Sequence, residues 1–155
     1  MQKITSFEER AFKWMANNGI ILLRISIGIV FLWFGLQKFF PGLSSAEDLA
    51  SRTISVITFG IVSPAVSMPV LALWESLIGL TFITGFFMRW AVPLLFLQMI
   101  GTVMPLFLFP TETFVNPPTV PTLIGQYIIK NLVVVTGAMV AGAYHKGFIV
   151  IKTKQ

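Results

Sequence analysis

The chain has 155 residues, 55% of them hydrophobic and only 11% charged, with a mean hydropathy of +0.85, whereas an ordinary soluble domain is about one quarter charged. The absence of cysteine excludes disulfides, thiolate nucleophiles, iron–sulfur clusters and thiol–disulfide relays, and the single histidine, His145, excludes a bis-histidine haem site or a histidine cluster for zinc. A membrane span takes about 20 apolar residues, so four spans use roughly 80 and leave the rest for two tails and three connections. The expected fold is therefore all-α: a polytopic four-transmembrane-helix bundle with short interfacial helices and no room for a separate soluble catalytic domain.

Residues 1–19 read as a cytoplasmic, interfacial amphipathic helix lying on the membrane rather than crossing it. Ser6 and Glu9 have the capping-box spacing, and Phe7, Trp14 and Met15 can dip into headgroups while Arg10 and Lys13 stay wet. The apolar run from Ile20 is far longer than the about 7–15 residues of a signal-peptide core, so it is expected to be retained. The membrane domain spans 20–147. Its first span, 20–40, ends at the breaker pair Pro41-Gly42.

An outer insert, 41–65, follows. Ser44 and Glu47 repeat the capping signature ahead of Leu49, Ile54, Ile57 and Phe59, which predicts a short amphipathic helix on the opposite membrane face. The second span, 66–88, opens near Pro64 or Pro69 and contains Glu75; the third, 90–109, contains Gln98 and should bend at Pro105. Residues 110–121 hold four prolines and one charge, Glu112, and read as a stiff extended loop. The fourth span, 122–144, carries Gln126, Lys130 and Asn131, and 148–155 form a basic cytoplasmic tail.

Lysine and arginine bias sets the expected orientation in an inner-type cell membrane. Four spans put both ends on one side, with Lys3, Arg10, Lys13, Arg89, Lys146, Lys152 and Lys154, against Arg52 and Lys38 on the other. Both termini are thus expected in the cytoplasm. The net charge of +5 follows from this topology, and no nucleic-acid partner is implied.

A charge near the centre of a span costs about 2.5–3.5 kcal/mol on insertion scales, so it turns toward a bundle interior or cavity. Glu75 and Lys130 each lie roughly 10–15 Å from the outer ends of their spans, and their matched depth predicts an ion pair. Helical stepping places Arg24, Gly28, Phe31, Gly35 and Lys38 on one stripe, Glu75, Gly79, Phe82, Phe86 and Arg89 on a second, and Gln126, Lys130, Val134, Gly137, Ala141 and Tyr144 on a third. These stripes should converge. Two readings stand side by side for Glu75 and Lys130: a structural ion pair, or a site for ligand or protons. Arg24 and Lys38, near opposite ends of the first span, either snorkel or join such a site, with Gln98, Gln126 and Asn131 as further polar candidates. His145 reads as an ordinary boundary residue.

The run Leu23 to Phe39 (LRISIGIVFLWFGLQKF) resembles the first-helix pattern of the DoxX-like family of small four-helix membrane proteins. Trp74 to Leu80 (WESLIGL), with Thr84-Gly85 and Arg89, resembles that family's second-helix pattern. The general resemblance covers about residues 23–147. It implies a relation to the quinone-linked DoxD and DoxX proteins, associated with thiosulfate oxidation and quinol oxidase assemblies. On that basis the chain is expected to be an accessory or quinone-associated subunit of a membrane redox complex, without independent catalytic activity. The alternatives are a small carrier or channel component and a noncatalytic scaffold subunit.

No covalent or metal cofactor is expected; a bound quinone or lipid is. The expected partners are membrane lipids and a membrane protein or a second copy of the chain. In that reading Glu75 accepts a hydrogen bond or proton from a quinol hydroxyl, Lys130 stabilises a carbonyl or semiquinone oxygen, and Phe31, Trp74 or Phe82 flanks the ring.

Overall fold

The computed structural model describes residues 6–151. Its first helix, α1, runs unbroken over Ser6–Gln37. No separate interfacial helix precedes the first span among these residues, because neither proline nor a turn interrupts the ladder and Gly19 sits in the helix without crowding. At about 1.5 Å per residue α1 is about 48 Å long, well beyond a hydrocarbon core of about 30 Å. Its first turns therefore project past the bundle, with Phe7, Trp14 and Met15 exposed and Lys13 paired to Glu9 at 3.0 Å.

The insert carries α2, Glu47–Ile57. The capping box expected from Ser44 and Glu47 does not form: Ala46 occupies the cap position, and the Glu47 carboxylate instead accepts from Gly42 N–H at 2.7 Å. Helix α3, Pro64–Thr84, begins with proline in its first turn, where no donor is needed, and ends at Gly85 in the left-handed region (φ 82°). Next come α4, Met88–Val103, and α5, Pro105–Leu108, two parts of one 21-residue span, Met88–Leu108, interrupted at Met104. Pro105 lacks the N–H that would continue the ladder.

The proline-rich connection is not the extended loop its composition suggests. It folds into a single turn, α6, Pro110–Thr113, and a small antiparallel pair, β1, Phe114–Asn116, and β2, Val120–Pro121. The final helix, α7, Leu123–His145, is capped by the Thr122 hydroxyl accepting from Gly125 N–H at 3.2 Å. Among the described residues, four helical segments are long and apolar enough to cross a membrane: α1, α3, α4–α5 and α7. Lys3, Lys152 and Lys154, expected on the positively biased side, lie outside the described residues.

Successive spans alternate in direction. The start of α1, the α3–α4 turn and the end of α7 share one end of the bundle, here the tail side; α2, α6 and the β pair occupy the other, the insert side. The closest helix pair is α1 with α3. A Cβ on Gly79 would fall on the Leu32 backbone nitrogen and 2.8 Å from the Gly28 carbonyl oxygen, so the two backbones touch where only hydrogen fits. Ile27, Phe31, Ile78, Phe82, Leu95, Met99, Ala138 and Ala141 fill the space between the helices. Most other apolar side chains face outward, as expected where lipid is the solvent.

Candidate functional site

Glu75 lies eleven residues into α3, about 16 Å from its start, on the face that meets α1. Its carboxylate is buried and shared by two donors from two other elements. Lys38, in the turn just after α1, donates through Nζ to Oε2 at 2.6 Å, and Gln98 of α4 donates through Nε2 to Oε1 at 2.8 Å. Only 7% of the Lys38 side chain and 11% of the Glu75 side chain is exposed. Lys38 also donates to the Phe34 carbonyl at 3.3 Å, so its side chain reaches back along α1 into the bundle.

The stripe Arg24–Gly28–Phe31–Gly35–Lys38 explains this arrangement. Gly28 and Gly35 let α3 approach, and the same face then delivers the ammonium group to Glu75. Beside Glu75, the buried Ser76 Oγ has no hydrogen-bond partner among the described residues.

Lys130 does not pair with Glu75. It is exposed on α7, with Nζ over the Tyr127 ring at 4.1 Å from its centroid. The reason is a change of neighbour along α7. Toward the tail side Gly137 meets Leu23 and Ile27 of α1, whereas toward the insert side Gly125 is pressed against the Thr113 carbonyl of α6. The face that is buried at Gly137 is thus uncovered at Lys130 and Gln126, both exposed; Asn131 is half-buried. The third stripe converges with the others only through its tail-side half.

Arg24 does not snorkel freely either. Its Nη2 donates to the Ile83 carbonyl at 3.4 Å, and the guanidinium lies against Gly85, where a Cβ would collide with Nη1. The aromatic candidates pack rather than line a pocket. Phe31 and Phe82 belong to the apolar core, and Trp74, packed against it, ties α3 to α4 by donating from Nε1 to the Leu94 carbonyl at 3.3 Å.

A cavity of about 240 Å³ opens on the insert side between the end of α1, α2 and the start of α3. Lys38, Phe39, Glu47, Ser51, Met68 and Pro69 are among its lining residues. Lys38 therefore has two faces, one toward the cavity and one toward the Glu75–Gln98 pair.

Above it, Arg52 of α2 forms a forked pair with Glu112 of α6, at 2.7 and 2.6 Å, and binds Asp48 at 3.0 Å. The guanidinium also covers the Phe109 ring at 4.9 Å from its centroid. The hydrogen bonds from Arg52 hold the Glu112 carboxyl below its usual range, and those to Glu112 push the Arg52 guanidinium up. Nothing in the sequence indicated that Arg52 and Glu112 meet. The only local signal of the clamp was the i,i+4 spacing of Asp48 and Arg52.

The family model described as DoxX matches residues 19–109, a stretch that contains Arg24, Lys38, Glu75 and Gln98 but not α7. No curated protein and no solved structure gives a match to the chain. With that match over more than half of its length and four apolar helices of spanning length, the chain belongs to the DoxX family of integral membrane proteins.

Proposed function

We propose that this DoxX protein is an accessory subunit of a membrane redox complex that holds the head group of a quinone in the insert-side cavity. The observation that carries this reading is the Lys38 ammonium, which with Glu47 and Ser51 forms the polar part of a cavity lined otherwise by apolar residues, while Glu75, itself held by Gln98, grips it from behind. A quinone supplies lipid-soluble transport of electrons and protons when bound. The donor set suits it: an ammonium N–H donates to a carbonyl oxygen, and Phe39 and Met68 offer apolar surface to a ring.

At about 240 Å³ the cavity is smaller than the roughly 300–1,000 Å³ of sites that enclose a whole ligand, so it has room for a ring with its tail lying in lipid. Lys38 takes the role expected of Lys130, and Glu75 holds its ammonium group in place at 2.6 Å. A quinone held there would need a partner protein as its redox counterpart, since the chain offers no cysteine and no evident redox side chain.

The test is quinone mass spectrometry on protein purified from native membranes. Enrichment over bulk lipid that is lost in the double variant Lys38→Met with Glu75→Gln, whose fold should be largely kept, and retained in Lys130→Met supports the reading. Quinone content equal to bulk membrane in the wild-type protein overturns it.

A second reading, a noncatalytic scaffold, is favoured by the turn after α2, where Phe59 and Ile61 are 92% and 84% exposed. Deleting residues 43–60 would then abolish complex assembly while the bundle still folds.

A further inference from the structure

Among the described residues Arg24 is a guanidinium without an anion. Of its five N–H donors, one has a protein acceptor among the described residues, the Ile83 carbonyl at 3.4 Å. Nε is buried with no partner, and no carboxylate among the described residues lies within ion-pair distance of it. The nearest acidic residue on α1 is Glu9, about 22 Å away along the helix and itself paired to Lys13. The left-handed Gly85 turn accounts for one side of the group, where the guanidinium sits on the negative end of α3.

The other side faces a cavity of about 380 Å³ between α1 and α7, lined by Ile20, Ile21, Arg24, Ala141, Tyr144 and His145. Its polar members are a cation, a phenol and an imidazole; the rest is apolar. Arg89 and Lys146 add positive charge to the same end of the bundle, and both are exposed. A cavity of this size is within the range of small-molecule sites. It opens beside lipid-facing residues, with Ile21 40% exposed, and so suits a molecule with an anionic head and an apolar body.

We propose that this tail-side cavity binds a phosphate group, with Arg24 as its charged anchor and Tyr144 and His145 as further hydrogen-bonding groups. An arginine fork meets phosphate oxygens with strong, charge-assisted hydrogen bonds. The apolar half of the lining then covers the first carbons of a phospholipid. The site is separate from Lys38, which lies just past the far end of α1, about 21 Å away along the helix axis, so it stands whether or not the insert-side cavity holds a quinone.

The experiment uses the full chain in non-ionic detergent. Native mass spectrometry after delipidation, with phosphatidylglycerol or phosphatidylcholine added back, reads retained lipid. In parallel, phosphorus NMR reads the binding of inorganic phosphate. Arg24→Gln should lower retained phosphatidylglycerol about tenfold, the effect of losing one charge-assisted contact, while Lys130→Gln, on the insert-side half of α7, changes nothing.

Because Arg24 also holds the end of α3, Ile21→Trp serves as the second variant: it narrows the cavity and leaves Arg24 on Gly85. It should lose lipid as well. Retention of phosphatidylglycerol with no binding of inorganic phosphate assigns the phosphate to lipid; binding of inorganic phosphate without lipid retention assigns it to a soluble anion. Equal lipid and phosphate binding in wild type, Arg24→Gln and Ile21→Trp overturns the proposal and leaves Arg24 as a cap on α3 alone.

Discussion

The Lys38 ammonium stands 2.6 Å from a Glu75 carboxylate oxygen, although Lys38 follows the last turn of α1 and Glu75 sits in the middle of α3. The lysine reaches inward because α1 and α3 are in backbone contact at Gly28 and Gly79, which brings the carboxylate within the span of one extended side chain. In an apolar bundle each charge is tolerable only with the other present.

Breaking this pair from one side should be costly. Lys38→Met leaves a buried carboxylate with Gln98 alone and is expected to destabilise the fold by about 3–5 kcal/mol. The double variant Lys38→Met with Glu75→Gln should recover much of that loss. Reversible unfolding in bicelles measures the cycle, and strict additivity of the two changes would show that the groups do not interact.

Lys130 gives the opposite expectation. Its substitution by Met removes an exposed contact with the Tyr127 ring, worth about 0.5–1 kcal/mol at such a site. Combined with Glu75→Gln, the effects should add within about 0.5 kcal/mol. A larger coupling in the same unfolding assay would restore the pairing that the sequence suggested.

Gly79 and Gly101 form a matched contrast. A Cβ at Gly79 meets the Leu32 backbone, whereas one at Gly101 meets nothing within 4 Å. Gly79→Ala should therefore separate α1 from α3 at a cost of about 1–3 kcal/mol, and Gly101→Ala should gain up to about 1 kcal/mol from helix propensity. Thermal denaturation in one detergent compares the two.

The insert should loosen in acid. The folded protein holds the Glu112 carboxyl below its ordinary 4.5, so the folded state binds fewer protons there than the unfolded chain. That contribution is fully present above the ordinary carboxylate range and fades as pH falls through the lowered value. Hydrogen exchange of α2 amides should accelerate over that acid window and, at neutral pH, in Glu112→Gln. High salt should have a weaker effect in the same direction. Unchanged α2 exchange in Glu112→Gln would mean that the insert is held by its apolar contacts alone.

The number of spans and the apolar exterior were legible in the sequence because hydropathy over about 20 residues is a local property. The stripe on the first span was legible too, since helical periodicity alone puts Gly28, Gly35 and Lys38 on one face. Local signals failed where two interactions competed. The Ser44–Glu47 capping pattern lost to a hydrogen bond from Gly42, and the proline-rich 110–121 segment acquired a helical turn and a β pair because Thr122 and Thr113 offered backbone partners.

By itself the sequence determined that charged groups had to be hidden within four apolar rods, because hydrocarbon offers them no solvation. Which cation Glu75 took was decided only by the tertiary structure. Depth along a helix follows from counting residues, and Lys38 and Lys130 both satisfied it closely enough. The choice rests on helix separation and rotation: α1 lies in contact with α3, while α7 turns its insert-side half toward α6 and leaves Lys130 outside.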